Sequence, residues 1–294
     1  MRVTTGFLVN QSVDRLQARL ASFEAAQDRL STGRNFQTAS EDLNGMNTAL
    51  ALRSSRRSTD QAVRNAQDGA TRIDLADTKL QHGLDSLRRI RELMIRGANS
   101  LQSTEAAVIA QEIESLRDQL VDLANADYLG HGLFAGTAEG NAVALVAGVW
   151  TYEGDGGAVN RRISETEVVD VNVTGDEVFG FAGPEDVFSM LDRVSGLVTA
   201  QDAVGLGAAI ADVDVAMDRI HVGLSELGAR GSRIESTIQR GLADSETVRR
   251  QLSNLEDVDL AEAVYEIQTE EVALQATMGA VARALQPSLL DYLR

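Results

Sequence analysis

From Leu260 onward, apolar residues recur at Leu260, Val264, Ile267, Leu274, Met278, Val281 and Leu285, with Glu271 as the one polar residue on the row. The steps alternate four and three. That spacing predicts a helix lying along another helix, because a 3.5-residue repeat keeps one narrow seam turned to a partner. A similar row runs through Val9, Val13, Leu16, Leu20, Phe23 and Leu30, with Gln27 as its polar member. Neither row can bury itself alone, and they stand at opposite ends of the chain. The economical reading pairs them with each other and then with copies in neighbouring molecules. Each end lacks a partner until a lattice supplies one, so both are expected to order only on assembly.

The interior predicts further helices. Residues 1–5 are expected to be ragged, and a helix over 7–31 ends at Gly33, which suits a C-terminal cap. Thr38 and Glu41 have the spacing of a capping box for the next helix. Residues 43–99 read as one proline-free helix, roughly 80 Å long at about 1.5 Å per residue. Its row is Ala66, Ala70, Ile73, Leu80, Leu84, Leu87 and Met94, interrupted at Asp77 and Arg91. A turn over 99–104 and a return helix over 105–126 follow. The longest row starts at Ile210, reaches Leu255, and carries Gly231 and Gly241, where another helix can approach closely. Before it, Pro184-Glu185 opens a helix and residues 196–207 form a loop. After it, Asp259 and Glu262 cap the terminal helix, which Pro287 ends.

Composition shifts in the middle. Residues 130–183 hold 11 of the 25 glycines, and alternation appears at Val149–Tyr152 and over 169–173. These are strands between glycine turns, read as a small β-rich insert with its own core around Trp150, Tyr152 and Phe179. The expected fold is therefore mainly α: an elongated helical rod with a nested N/C-terminal coiled coil and a small β-rich outer domain at the tip. Residues 1–42 and 256–294 make the inner coiled-coil domain, 43–129 and 184–255 the two halves of the rod, and 130–183 the outer domain.

Charge adds support for pairing. Residues 1–57 hold eight Arg against five acids, and 256–294 hold eight acids against two Arg. Opposite signs fix partner choice more than they add stability. The net charge of −17 argues against nucleic acid. No apolar run reaches the ~18 residues of a membrane span, and the patch Phe7-Leu8-Val9 is too short for a cleaved secretory signal.

Candidate chemistry is thin. There is no cysteine. His82, His131 and His221 are far apart and lack a second ligand at metal spacing. Gly130-His131-Gly132 follows a helix, not the strand a dinucleotide loop requires. Asp170-Val171-Asn172 resembles the start of a calcium loop, but Phe181 stands where a bidentate Glu is needed. No enzyme, cofactor or metal is expected.

Two stretches resemble the flagellin superfamily. Leu30-Ser31-Thr32-Gly33-Arg34 with Ser40-Glu41-Asp42 is similar to the family's amino-side motif, and Asp257-Val258-Asp259-Leu260-Ala261-Glu262-Ala263 to its carboxyl-side helix start. Within the superfamily, Asn125–Tyr128 with Leu133-Phe134-Ala135-Gly136-Thr137, and the ending Ser288-Leu289-Leu290-Asp291-Tyr292-Leu293, resemble the hook–filament junction branch, the third hook-associated proteins. The likeness covers residues 6–137 and 205–294; a His-Gly insertion before Leu133 and a near absence of lysine depart from the pattern.

The resemblance implies an extracellular structural adaptor of the bacterial flagellum, exported through the flagellar type III machinery, with or without its chaperone. It implies a homo-oligomer in a tubular assembly between the first hook-associated protein and flagellin. Val13, Leu16, Leu20, Phe23, Leu30, Leu260, Val264, Ile267, Leu274, Met278, Val281 and Leu285 are the expected assembly interface. Filament flagellin itself and a cytoplasmic helical scaffold are the alternatives.

Overall fold

The computed structural model describes residues 2–99 and 103–285. Helices α1 (Arg2–Thr32), α2 (Leu43–Asn99) and α3 (Ser103–Ala124) come first. Strands β1 (Asp127–Tyr128), β2 (His131–Gly132), β3 (Val143–Val146), β4 (Val149–Tyr152), β5 (Asn160–Arg162) and β6 (Val168–Asp170) follow. Helices α4 (Gly175–Phe179), α5 (Val187–Thr199), α6 (Ala203–Glu256) and α7 (Leu260–Leu285) complete the described chain. The fold is mainly helical, with helical regions at both ends and strands confined to the middle, as the apolar rows and glycine distribution predict.

The chain divides into two compact units, Met1–Arg57 with Asp244–Arg294, and Ser58–Ala243. Each has a buried cluster of its own. In the first, Phe36, Ala49 and Leu252 are buried, with Met46, Leu52, Val248 and Leu255 packed around them. In the second, α2, α3, α5 and α6 share one core that includes Leu80, Leu87, Ile113, Leu191, Val213 and Ile220. Among these helices α2 and α6 contribute the most residues to it. Gly241 shows how closely they meet: a Cβ there would stand 2.6 Å from Val63 Cγ2. At Gly231 the same atom would meet Ile73 Cγ2 at an ordinary 3.5 Å.

The strands form three separate antiparallel pairs, β1–β2, β3–β4 and β5–β6. Two of the turns are tight and left-handed: Leu129-Gly130 has φ of 55° and 82°, and Ala147-Gly148 has 52° and 83°. These suit two-residue hairpin loops. The expectation of a separate β core needs correction. Phe179 is fully buried, yet Trp150 and Tyr152 are half-buried, and Phe134, Phe179 and Phe188 belong to the same core as Leu80 and Ile220. Strands of two to four residues cannot bury a face of their own, so they lean on the helices.

Several boundaries also move. α1 begins at Arg2, so residues 2–5 are helical. The return helix α3 begins at Ser103 and ends at Ala124, and the expected turn over 99–104 falls partly outside the described residues. Pro184-Glu185 does not open α5; Asp186 does, its carboxylate accepting from Ser189 N–H at 2.9 Å. The expected loop over 196–207 shrinks to residues 200–202. There Gln201 takes φ 57°, and Asp202 accepts from Gly205 N–H at 2.9 Å. Gly196, Gly205 and Gly207 are thus helical. Beyond β6, Val171–Val173 leaves the ladder: Asn172 accepts from Val159 N–H at 2.7 Å and donates to the Gly157 carbonyl at 3.0 Å. The end of the chain after Leu285, with Pro287 and the Ser288–Leu293 motif, lies outside the described residues.

Candidate assembly face at the paired termini

Within the first unit α1 and α7 pack along each other, and they run antiparallel. At one end Arg34 and Asp257 form an antiparallel bridge; at the other, Ser12 and Val281 line a common groove. The seam is legible from burial. On α1, Leu16, Phe23 and Leu30 are half-buried and Ala26 is 1% exposed. On α7, Ile267, Leu274 and Val281 are half-buried and Ala263 is 1% exposed. Ion pairs lie across it: Arg19 Nη1 is 3.5 Å from Glu270 Oε2, and Arg29 Nη2 is 2.9 Å from Glu266 Oε1. Both are solvent-accessible and worth at most about 1 kcal/mol each, so their role is register.

The structure therefore places the expected interface residues in two classes. Leu16, Phe23, Leu30, Ile267, Leu274 and Val281 meet inside one molecule. The alternate members of each row do not. Val13 (39% exposed), Leu20 (45%), Val264 (42%) and Met278 (48%) face solvent, as do Leu260 and the polar members Gln27 and Glu271. The side chains of Val9 and Leu285 lie outside the described residues. The reason is a rotation. The seam uses Leu16, Phe23 and Leu30 with Arg19 and Ala26, in place of Leu20 and Gln27. On α7 it uses Ile267, Leu274 and Val281 with Ala263, Glu270 and Thr277. Small and charged residues fill the second position, which a search for large apolar residues passes over.

The two ends are helices paired with each other in one chain, where the seam residues find partners.

A tight connection anchors the pair. Gly33 takes φ 68°, ending α1 with its N–H on the Arg29 carbonyl at 2.9 Å. The chain then runs beside the α6–α7 junction: Asn35 N–H donates to the Glu256 carbonyl at 2.7 Å and Val258 N–H to the Gly33 carbonyl at 3.0 Å. Asn35 Nδ2 donates to the carbonyls of Leu255 (3.4 Å) and Asp257 (3.1 Å). Glu256 is buried; its Oε2 accepts from Arg53 Nη2 at 2.8 Å, and its Oε1 has no partner among the described residues.

The Thr38–Glu41 capping box is another correction. Glu41 closes the turn before the helix, accepting from Gln37 N–H at 2.7 Å and from the Thr38 hydroxyl at 2.8 Å. The Gln37 N–H, with Thr38, holds the Glu41 carboxyl below its ordinary range. Asp42 caps α2 instead, accepting from Gly45 N–H at 2.9 Å. Asp259 caps α7 as expected, accepting from Ala261 N–H at 2.8 Å.

The three histidines are exposed on separate elements, and no group of His, Cys, Asp or Glu suited to a metal occurs among the described residues. Gly130 and Gly132 belong to the β1–β2 hairpin and its turn. No described helix is long and apolar enough to cross a membrane.

Comparison with known proteins matches this arrangement. The model of the bacterial flagellin N-terminal helical region matches residues 3–139, and that of the C-terminal helical region matches residues 210–293. Flagellin of Bacillus subtilis is 24% identical over 298 residues, covering 97% of each chain. Among solved structures, a protein of Vibrio parahaemolyticus assigned to the flagellar hook-associated proteins superposes with a TM-score of 0.69 at 22% identity. That match covers 74% of this chain and all of the other. Flagellar hook-associated protein 3 of Legionella pneumophila gives 0.64 at 18% identity, over 70% of this chain and 98% of its own. With both helical regions of flagellin matched in order, over about three quarters of its length, the chain belongs to the flagellin superfamily.

Proposed function

We propose that the protein is a structural adaptor at the hook–filament junction of the bacterial flagellum. It joins the hook, through the first hook-associated protein, to the flagellin filament, and it assembles with copies of itself through its terminal helices. The observation that carries this reading is the half-used apolar row on each terminal helix. Pairing α1 with α7 satisfies Leu16, Phe23, Leu30, Ile267, Leu274 and Val281, and leaves Val13, Leu20, Val264 and Met278 turned outward on the same helices. Leu260 and Leu285 extend the interface at the ends of α7. The likeness to hook-associated proteins over nearly their whole length supports the junction in preference to the filament. The protein reaches the cell exterior through the flagellar type III apparatus, with or without a chaperone. The role is one of binding, not catalysis.

Filament flagellin is the second reading, favoured by the full-length match to the Bacillus subtilis protein. Deletion of the gene separates the two. Loss of a junction adaptor leaves hooks without filaments and flagellin released to the medium, whereas loss of a filament protein removes the filament subunit itself.

A further inference from the structure

The α1–α7 pair has two unlike faces, and their difference says how copies meet. Along a right-handed helix, a residue four places beyond a seam position lies about 40° further round. Because α1 and α7 run antiparallel, those rotations converge on one side of the pair. Val13 and Leu20 therefore share a side with Val264 and Met278. All four are large, apolar and exposed, and Glu271 is the acidic member of that side. The opposite side is a groove of about 790 Å³. Ala18 and Ser22 line it from α1, and Ala276, Thr277 and Ala280 from α7, with Arg15 and Arg19 at its edge. One side thus presents large apolar side chains with a carboxylate, and the other a hollow of small residues with guanidinium groups.

We propose that the large apolar side of one copy seats in the small-residue groove of the next. The two sides are complementary in shape, and their charges favour the unlike pairing, because two like sides would bring Glu271 toward Glu271 or Arg15 toward Arg15. The contact is therefore head-to-tail, the kind that repeats around a ring or along a helical array and does not stop at a dimer. Glu271 of one copy then lies toward Arg15 of its neighbour, which favours the correct face over the wrong one. This inference rests on assembly through the terminal helices and adds which face meets which.

The cysteine-free chain allows a direct test. Single-cysteine variants Leu20→Cys and Met278→Cys mark the apolar side; Ala18→Cys and Ala280→Cys mark the groove. Pairs of variants are expressed together in the flagellated host, and the purified flagella are oxidised. The expected result is a disulfide-linked dimer from at least one apolar-side and groove pairing, and monomer from each variant alone. Dimers from Leu20→Cys alone or from Ala280→Cys alone would overturn the proposal, as would incorporated copies that cross-link in no mixed pairing. Ala280→Leu, which fills the groove without touching the seam, is expected to abolish incorporation while leaving helix content unchanged; normal incorporation would count against the groove. Absence of the unmodified protein from purified flagella would instead remove the reading on which the inference rests.

Discussion

Arg19 Nη1 lies 3.5 Å from Glu270 Oε2, and this pair sets the register of the terminal helices. Seven residues on along α1 is Ala26, and seven back along α7 is Ala263; both are 1% exposed. Their burial on helices that pack along each other puts a small residue in the seam on each side, between the larger seam residues of its row.

Ala26→Leu should therefore disrupt the pair although it adds apolar surface. Overpacking at such a site costs about 1–3 kcal/mol. Hydrogen exchange should show faster exchange in α1 and α7, with the amides of 58–243 unaffected. Unchanged protection of α1 and α7 would mean that the helices are not closely packed at this level.

Leu20 and Leu274 separate the two uses of the apolar rows. Leu274→Asp places a charge in the seam and should destabilise the α1–α7 pair as well as block assembly. Leu20→Asp changes an exposed position, so helix content by circular dichroism should be unchanged while filament attachment is lost. Filaments attached normally in Leu20→Asp cells would contradict the outward-row assignment.

Gly241 and Gly231 occupy equivalent positions on the α6 row but should respond in opposite directions. Gly241→Ala places a Cβ 2.6 Å from Val63 Cγ2, and overpacking there costs about 1–3 kcal/mol. Gly231→Ala meets Ile73 at 3.5 Å, and should gain up to about 1 kcal/mol from helix propensity. Urea unfolding followed by Trp150 fluorescence reads both, and equal effects would show that the approach at Gly241 is not close.

Acid should weaken residues 58–243. Asp68 is held below the ordinary aspartate range, chiefly by its hydrogen bond from Arg161 Nε at 2.7 Å. Asp155 is held down first by the Thr137 hydroxyl at 2.6 Å, then by the Thr137 and Gly157 N–H groups. A carboxyl with a lowered folded pKa contributes stability that is fully present above its unfolded value of about 3.9. That contribution is lost as pH falls through the lower folded value. The unfolding midpoint read by Trp150 should fall from pH 5 to pH 2, with a shallower slope in Asp155→Asn. An equal slope in the variant would show that Asp155 is not linked to folding.

The sequence made the long helices legible because their rows are long. Fourteen successive row positions from Ile210 to Leu255 leave little doubt about a helix, and α2 spans the expected 43–99. Both terminal rows were visible, but not which half of each faces inward. Ala26, Ala263 and Thr277 are small, and Arg19 and Glu270 are charged, so none stands out in a pattern of large apolar residues. Gly196, Gly205 and Gly207 suggested a loop because glycine usually breaks helices; here Gln201 takes the left-handed conformation and the glycines are helical. The middle segment showed its strands but not its dependence on helical neighbours, since the packing of Phe134 and Phe188 is set by residues distant in sequence.

Position on the flagellum tests the central claim most directly. Antibody-gold labelling of purified hook–filaments, viewed by electron microscopy, should place the label in a narrow band where the hook meets the filament. Label distributed along the filament, or found only in the cell body, would contradict the account.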